Sequence, residues 1–376
     1  MEGVHVMKFL FDFGPEGVTK EEYKKVTAST LYDENLGYGF TSTEFVTAKK
    51  RSEELLTGDF VIPFDSSFVV DVPNGNYYVS ILFGDEIAPT NTTIKTNGEH
   101  LVFQSYKTIT GQVAHEQFGV NVRNGKLKLG FGGLAPRINA LEIIPATDKV
   151  TLYLAGDSTV TDSSPEGFPY SGWGQMLNYY FRHDVVVSNH AVGGRSSKSF
   201  IDEGRLDAIK QTIKEGDFLF IQFGHNDEKS DEARHTDPAT TYPQYLMQYI
   251  DAARAVKATP VLLTSMHRRF FDEEGKIIDT HKDYLDAVRK LAEEEQVAFI
   301  DLAQKSKKLY EELGPEGTKE IFLWGDRGEW INHPNGVRDN THFQEKGGLA
   351  LAKLVVEGIR ELGLQPLTMF LRPTSN

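Results

Sequence analysis

Cysteine is absent from all 376 residues of the chain. The protein therefore cannot form disulfides, use a thiolate nucleophile or bind a metal through sulfur. Basic residues are also in deficit, because 40 lysines and arginines face 54 aspartates and glutamates, which gives a net charge of −14. This charge repels phosphate backbones and anionic membranes, so we expect neither nucleic acid nor a membrane as a partner.

Long apolar runs are missing too. No stretch approaches the roughly 20 apolar residues that cross a bilayer. The first 14 residues, MEGVHVMKFLFDFG, lack the charged-then-apolar profile of a signal peptide. We therefore expect a cytoplasmic protein, although a secreted protein that had lost its leader would have the same sequence.

Motifs that bind metals or nucleotides are not found either. The chain has 11 histidines, but they are scattered and form no HExxH or His-x-His pair. The glycines form neither GxGxxG nor GxxxxGKS/T, which excludes the dinucleotide and P-loop fingerprints. We expect no metal and no cofactor. The histidines weighed as metal ligands are His183, His190, His225, His333 and His342.

The first 146 residues carry short, alternating apolar stretches. SFVVDVPNGNYYVSILFGD is typical of two strands around an Asn-Gly turn at 74–75, and FGVNVRNGKLKLGFGG repeats the pattern around 124–125. INALEIIPA is a further strand, and the longest segment with a helical period is TKEEYKKV. Short strands with regular turns predict an antiparallel β-sandwich domain over residues 1–146.

From residue 147 to 376 the pattern changes to apolar strand runs that alternate with amphipathic helices. This alternation predicts βαβ units and a parallel sheet covered on both faces. A chain of this length exceeds one hydrophobic core, which supports a second domain at 147–376. The predicted strands are VTLYLAG, DVVVSNHA, DFLFIQFG, TPVLLTSM and VAFIDLA. The main predicted helices are SFIDEGRLDAIKQTIKEG, TYPQYLMQYIDAARAVKA, THKDYLDAVRKLAEEEQ and EKGGLALAKLVVEGIRELG.

Polar residues follow three of the predicted strands and precede the last helix. Ligands of open α/β sheets bind beyond the carboxyl ends of the strands, so these residues form the candidate site. The four blocks are GDST (156–159), GGRS (193–196), GHND (224–227) and DNTH (339–342).

These blocks supply the parts of an acyl-transfer site. Ser158 is the candidate nucleophile and His342 the base that takes its proton. Asp339, three residues before His342 on a predicted loop, would fix the tautomer of the imidazole. The oxyanion would be stabilised by the N–H groups of Ser158 and Gly194 and by the amide of Asn226.

Each of these residues also has an ordinary structural explanation. Ser158 and Asn226 could cap the segments that follow their strands, Gly194 could serve a tight turn, and Asp339 could be a turn residue. We favour a structural role for His225. The chemical interpretation draws its weight from four blocks that occur together, each at a predicted strand end or before the last helix.

The four blocks, in this order, resemble the signature of the SGNH (GDSL-type) hydrolase superfamily. The resemblance spans roughly residues 150–362 and is strongest to the rhamnogalacturonan acetylesterase branch, which Thr159 fits better than the lipase branch. It implies a flavodoxin-like three-layer α/β/α domain with five parallel strands, no metal, and the roles given above for Ser158, Gly194, Asn226, Asp339 and His342. Residues 1–146 are similar in pattern to galactose-binding-like sandwiches appended to some members.

Aromatic residues near the blocks are candidates for substrate binding, since sugar rings stack on aromatic faces. Tyr170 and Trp173 follow the nucleophile, and Trp324 and Trp330 precede the Asp339 block, of which Trp330 is the stronger candidate. Any of these could equally be a core residue. The first 146 residues hold no tryptophan, which favours a structural or positioning role for that domain over a broad aromatic platform.

Three functions follow from this sequence. The leading prediction is a serine esterase that removes acetyl groups from an acetylated plant cell-wall polysaccharide or oligosaccharide derived from pectin, such as rhamnogalacturonan. The same machinery could act instead on acetylated xylan or other short acyl esters. A carbohydrate-binding protein with an inert hydrolase domain is the alternative from another class.

Overall fold

The computed structural model describes residues 7–373, in which the chain forms two compact units. The first runs up to Lys149 and includes Phe181–Val186, and the second comprises Val150–Tyr180 and the chain from Val187 onward. Residues 1–6, which are part of the segment considered for a signal peptide, lie outside the described residues. Within 7–373, no helix is both long enough and apolar enough to cross a membrane.

The first unit is a β-sandwich of two five-stranded sheets. Their strand orders are β10-β7-β12-β1-β2 and β3-β6-β11-β8-β9, and β4 and β5 form a separate two-stranded ribbon. Strand pairs in both sheets are antiparallel except β1 and β2, which run parallel. The strands are β1 Phe9–Phe13, β2 Lys24–Val26, β3 Tyr38–Phe40, β4 Val46–Lys50, β5 Asp59–Pro63, β6 Ser67–Asp71, β7 Gly75–Asp85, β8 Thr90–Thr96, β9 His100–Thr108, β10 Gln112–Val122, β11 Lys126–Ala135 and β12 Ala140–Pro145.

Aromatic residues from both sheets fill the core of this sandwich. Phe11 and Phe13 on β1 meet Phe68 on β6 edge to face, with ring centroids 5.1 and 4.9 Å apart. Such contacts add to the hydrophobic gain of burying the rings. The alternation seen in the sequence therefore marks strands that each turn one face inward.

Two details of the first unit differ from the prediction. Both Asn-Gly turns join strands of different sheets, β6 to β7 and β10 to β11, rather than hairpin partners. Only the glycines have positive φ, whereas a type I′ hairpin needs it at both turn residues. The predicted helical segment TKEEYKKV is instead a turn followed by strand β2, because pairing with β1 outweighs its weak helical period.

The second unit is built on a five-stranded parallel sheet of order β14-β13-β15-β16-β17. All five predicted strands are confirmed, and the order is that of the flavodoxin-like fold. β13 and β15 are buried almost throughout, as expected for a sheet covered on both faces. The strands are β13 Val150–Gly156, β14 Val185–Asn189, β15 Phe218–Gln222, β16 Thr259–Leu263 and β17 Ala298–Ile300.

Seven α-helices accompany this sheet in the described residues. The predicted helix over 199–216 is two short helices, because Gly204 between them has a left-handed φ of 71°. The helix over 302–317 was not predicted. The helices are α1 Trp173–Met176, α2 Ser197–Asp202, α3 Arg205–Lys210, α4 Thr241–Ala255, α5 Asp283–Glu294, α6 Leu302–Gly317 and α7 Glu345–Glu361.

A two-stranded ribbon, β18 (Phe322–Gly325) and β19 (Val337–Phe343), precedes α7. The predicted loop DNTHF lies within β19. Its pairing is irregular: Phe343 faces Phe322 and Arg338 faces Trp324, so five steps along β19 oppose two along β18. The extra residues form a bulge, and this bulge carries Asp339 and His342.

Candidate active site

Ser158 lies at the carboxyl end of β13 in a tight, buried turn. The Asp157 carboxylate accepts hydrogen bonds from the N–H and hydroxyl of Thr159, each at 2.8 Å. Gly156 permits this turn, because a Cβ there would lie 2.6 Å from the Val160 side chain. Asp157 and Thr159 are buried while Ser158 is partly exposed, so the turn presents a single hydroxyl.

A chain of two hydrogen bonds links Ser158 to a carboxylate. The Ser158 Oγ lies 2.9 Å from His342 Nε2, and His342 Nδ1 lies 2.7 Å from Asp339 Oδ2. With the imidazole proton on Nδ1, Nδ1–H donates to the carboxylate and Nε2 accepts from the hydroxyl. His342 can therefore take a proton from Ser158, and Asp339 can stabilise the imidazolium that results.

The bulge in β19 holds Asp339 in an ionised state. Its Oδ1 accepts hydrogen bonds from the backbone N–H groups of Thr341 at 2.7 Å and His342 at 3.0 Å. Burial by itself raises the pKa of Asp339, but the hydrogen bonds and charge of His342 and the two backbone donors outweigh it and lower this pKa to about 2. The carboxylate is thus ionised at neutral pH.

The two glycines of the second block lie beside the nucleophile. A Cβ added at Gly193 would come within 3.6 Å of the Ser158 Cβ, and Gly194 has a left-handed φ of 81°. Asn226 is 6% exposed, and its amide donates to the Arg195 carbonyl at 3.1 Å. That bond occupies one of the two amide N–H groups and fixes the orientation of the side chain.

His225 packs in the interior. It is 3% exposed, its Nε2 lies 3.4 Å from the Met266 sulfur, and its ring meets His281 edge to face at 4.5 Å. Burial, with the charge of His281, lowers the pKa of His225 well below its ordinary value, so the ring is neutral at neutral pH. These contacts agree with the structural role favoured from the sequence.

The aromatic candidates have different surroundings. The prediction that Trp173 binds substrate is wrong, because its side chain is 1% exposed and its indole N–H donates to Gln222. Tyr170 is half-buried, donates its hydroxyl to the Ser158 carbonyl and contacts the His342 ring edge to face at 5.4 Å. Trp330 is half-buried and packs over Gly325.

Arg268 and Arg269 were not predicted as site residues, and Trp324 was predicted only as one of the aromatic residues before the Asp339 block. Trp324 donates its indole N–H to Asn340 Oδ1, within the bulge, at 3.0 Å. Arg268 and Arg269 follow strand β16. The rule that selected residues at the ends of the other strands would have selected both arginines, had it been applied to β16.

Asp227, next to Asn226, is a fully buried acid. Its carboxylate accepts from the backbone N–H and hydroxyl of Ser197 and from the hydroxyl of Thr236. Burial raises the pKa of Asp227, these hydrogen bonds only partly oppose it, and the result is about 7. The folded protein therefore holds this proton at pH values where the unfolded chain has lost it.

This difference predicts a pH dependence of stability. Between pH 4 and pH 7 the folded state binds the Asp227 proton and the unfolded state does not, so stability falls as pH rises through this window, by up to about 4 kcal/mol. Asp227→Asn should reduce that fall. Urea unfolding of both proteins at pH 5, 6 and 8 measures it, and parallel curves for the two proteins would contradict the assignment.

Comparisons with known proteins agree with this architecture. Residues 154–347, more than half of the chain, match the model of the GDSL-like lipase/acylhydrolase family. Residues 9–142 match a domain described as beta-agarase/YXIM esterase-like, galactose-binding domain-like. Both the predicted superfamily and the predicted fold of each half are thereby confirmed.

Several relatives from Bacillus subtilis (strain 168) are similar to this chain. Rhamnogalacturonan acetylesterase RhgT is 51% identical over 215 residues, which cover 57% of this chain and 91% of that protein. The uncharacterized esterase YxiM is 32% identical over 373 residues, 95% of this chain and 91% of YxiM. The crystal structure of YxiM covers 96% of this chain and 99% of its own, with 30% identity and a TM-score of 0.54. The chain therefore belongs to the GDSL-like lipase/acylhydrolase family, in its rhamnogalacturonan acetylesterase-like branch, and is an esterase.

Proposed function

We propose that the protein is a serine carbohydrate esterase that removes O-acetyl groups from rhamnogalacturonan or from an oligosaccharide derived from it. The observation that carries the mechanism is the continuous hydrogen-bond chain from Asp339 through His342 to Ser158. The substrate class is supported by the 51% identity to RhgT, which extends over 91% of that rhamnogalacturonan acetylesterase.

In the first half of the reaction, His342 Nε2 takes the proton of the Ser158 hydroxyl as Oγ attacks the acetyl carbonyl carbon. A tetrahedral oxyanion forms, and Asp339 stabilises the imidazolium through Nδ1–H. When the intermediate collapses, the bond between the carbonyl carbon and the sugar oxygen breaks. The sugar oxygen takes the proton from Nε2, which leaves an acetyl-enzyme.

In the second half, water replaces the sugar. His342 takes a proton from the water as the water oxygen attacks the acetyl carbon, and the second oxyanion forms in the same place. Collapse releases acetate and returns the proton to Ser158 Oγ. Both oxyanions are stabilised by the N–H groups of Ser158 and Gly194 and by the amide of Asn226, which are positioned before charge develops.

Asn226→Ala is expected to lower kcat about 10²- to 10³-fold, the usual effect of losing one oxyanion donor. KM should change little, because the oxyanion exists only in the transition state and intermediates. Initial rates on p-nitrophenyl acetate, with a check that the unfolding midpoint is retained, test this. Wild-type kcat in the folded variant would remove Asn226 from the oxyanion hole.

The substrate is tested by acetate release from acetylated rhamnogalacturonan and acetylated xylan, with Ser158→Ala as the blank. We expect a higher kcat/KM on rhamnogalacturonan. Equal or faster hydrolysis of xylan would overturn the substrate assignment and leave the esterase mechanism standing. Failure to hydrolyse either polymer or p-nitrophenyl acetate would instead favour the inert, carbohydrate-binding alternative.

A further inference from the structure

Two consecutive arginines, Arg268 and Arg269, follow strand β16 and point to two different parts of the candidate active site. Because the two residues are adjacent in the chain, contacts that fix the position of one also restrict the position of the other. Neither touches the reacting atoms. Their contacts nevertheless reach both the segment that carries Asn226 and the bulge that carries Asp339 and His342.

Arg269 binds the bulge through Asn340, the residue after Asp339. Its backbone N–H donates to the Asn340 carbonyl at 2.8 Å, and its Nη1 donates to Asn340 Oδ1 at 3.4 Å. Its Nε donates to Thr318 Oγ1 at 3.0 Å, and its Nη2 donates to the carbonyl of Pro315. The side chain thus joins the bulge to the segment that leads into β18.

Trp324 completes this contact. The Arg269 guanidinium lies over the indole ring, 4.2 Å from its centroid, and the indole N–H donates to the same Asn340 Oδ1. A planar guanidinium can stack on a ring and donate in its own plane at once, which an ammonium cannot. Asn340 is therefore fixed by two neighbours that also fix each other.

Arg268 binds the other part of the site. Its Nη2 pairs with Glu228 and donates to the His225 carbonyl at 3.4 Å, so it contacts the residue directly before Asn226. Its Nη1 donates to Thr280 Oγ1 at 2.9 Å. Arg268 thus connects the segment that contains Asn226 to the chain that follows β16, and Arg269 connects the bulge to the same part of the chain.

The arginines do not serve as a binding site for an anionic substrate. Arg269 is only 9% exposed, and its Nε, Nη1 and Nη2 all donate to protein acceptors. The Arg268 side chain is 11% exposed and is neutralised by Glu228. A new anion would have to displace buried partners, which is unfavourable for groups whose hydrogen bonds are already satisfied.

We propose that Arg268 and Arg269 are positioning residues. They hold the oxyanion donor Asn226 and the Asp339–His342 pair in the positions relative to Ser158 that the reaction needs. This inference rests on the roles given to those residues under the proposed function. Arg268 acts through Asn226, and Arg269 acts through Asn340 on Asp339 and His342.

Arg→Lys substitutions test this proposal, because they keep the positive charge but remove the planar guanidinium. The several hydrogen bonds of that group, and in Arg269 its stacking on Trp324, are then lost. With p-nitrophenyl acetate, Arg269→Lys should lower kcat about 10- to 100-fold, as expected for a misplacement of about 1 Å, with KM nearly unchanged. Asn340→Ala removes only the side chain that accepts from Arg269 and Trp324, and it should also lower kcat. Arg289→Lys, the same substitution at an arginine that pairs with Asp301 on another part of the unit, is the matched control.

Double variants separate positioning from loss of folding. In an Asp339→Ala background, Arg269→Lys should have almost no further effect on kcat, since the pair that it positions is already broken. Likewise, Arg268→Lys should have almost no further effect in an Asn226→Ala background. Additive losses in an active enzyme, or losses that only follow the unfolding midpoint, would overturn the inference alone. A wild-type protein without esterase activity would overturn both the inference and the proposed function.

Discussion

Replacing Ser158 with alanine should abolish ester hydrolysis, with a fall in kcat of about 10⁶-fold. The hydroxyl is the group that forms the acetyl-enzyme, and alanine offers nothing that His342 could activate. The remaining turnover should come only from binding and from the oxyanion donors. The substitution removes one partly exposed oxygen and leaves the buried turn of Asp157 and Thr159 intact, so stability should be retained.

His342→Ala should reduce kcat about as much as Ser158→Ala, and the double variant should be no worse than either. Nucleophile and base act as one unit, so their effects do not add. Rates of labelling by a serine-reactive phosphonate provide a second readout: Ser158→Ala should not be labelled, and His342→Ala should be labelled slowly. Labelling of Ser158→Ala would show that another residue is the nucleophile, and additive losses of kcat would show that Ser158 and His342 do not act as one unit.

Much of the second unit could be predicted because its signals are local. Each buried strand ends in a polar block, and the order of the sheet brings the ends of β13, β14 and β15 to one edge. Ser158, Gly194 and Asn226 were selected this way. His342 came from the same set of blocks, although its position on a bulged strand, and not on a loop, depends on pairing with β18.

What the sequence could not give depends on tertiary contacts. Trp173 occurs at a plausible position for a sugar-binding residue, but only the fold shows that its indole N–H faces Gln222 in the interior. The Asn-Gly turns carry a hairpin signal, yet which sheet each strand joins is decided by partners far along the chain. The contacts of Arg269 with Asn340 and Trp324 span about 70 and 55 positions and have no local signature.

Asp339→Asn should lower kcat about 10⁴-fold, because it reverses the tautomer of His342. The backbone N–H groups of Thr341 and His342 donate to Oδ1, so the carbonyl oxygen of the new amide is expected to occupy that position. The NH₂ group then takes the place of Oδ2 and faces His342 Nδ1. A donor there moves the imidazole proton to Nε2, which can no longer accept the proton of Ser158.

Neither titration of the Asp339 carboxylate nor loss of one negative charge in general is expected to account for this fall in kcat. Because the pKa of Asp339 is about 2, the wild-type carboxylate stays ionised from pH 5 to pH 9, and its own titration cannot limit activity there. The stability that the ionised form contributes is present above about pH 4 and lost as pH falls towards 2. Asp326→Asn, a change of the same charge at an exposed position directly after β18, should leave kcat nearly unchanged. If Asp339→Asn retained a tenth or more of wild-type kcat at neutral pH, the carboxylate would not be the group that orients His342, and the role assigned to Asp339 would fail.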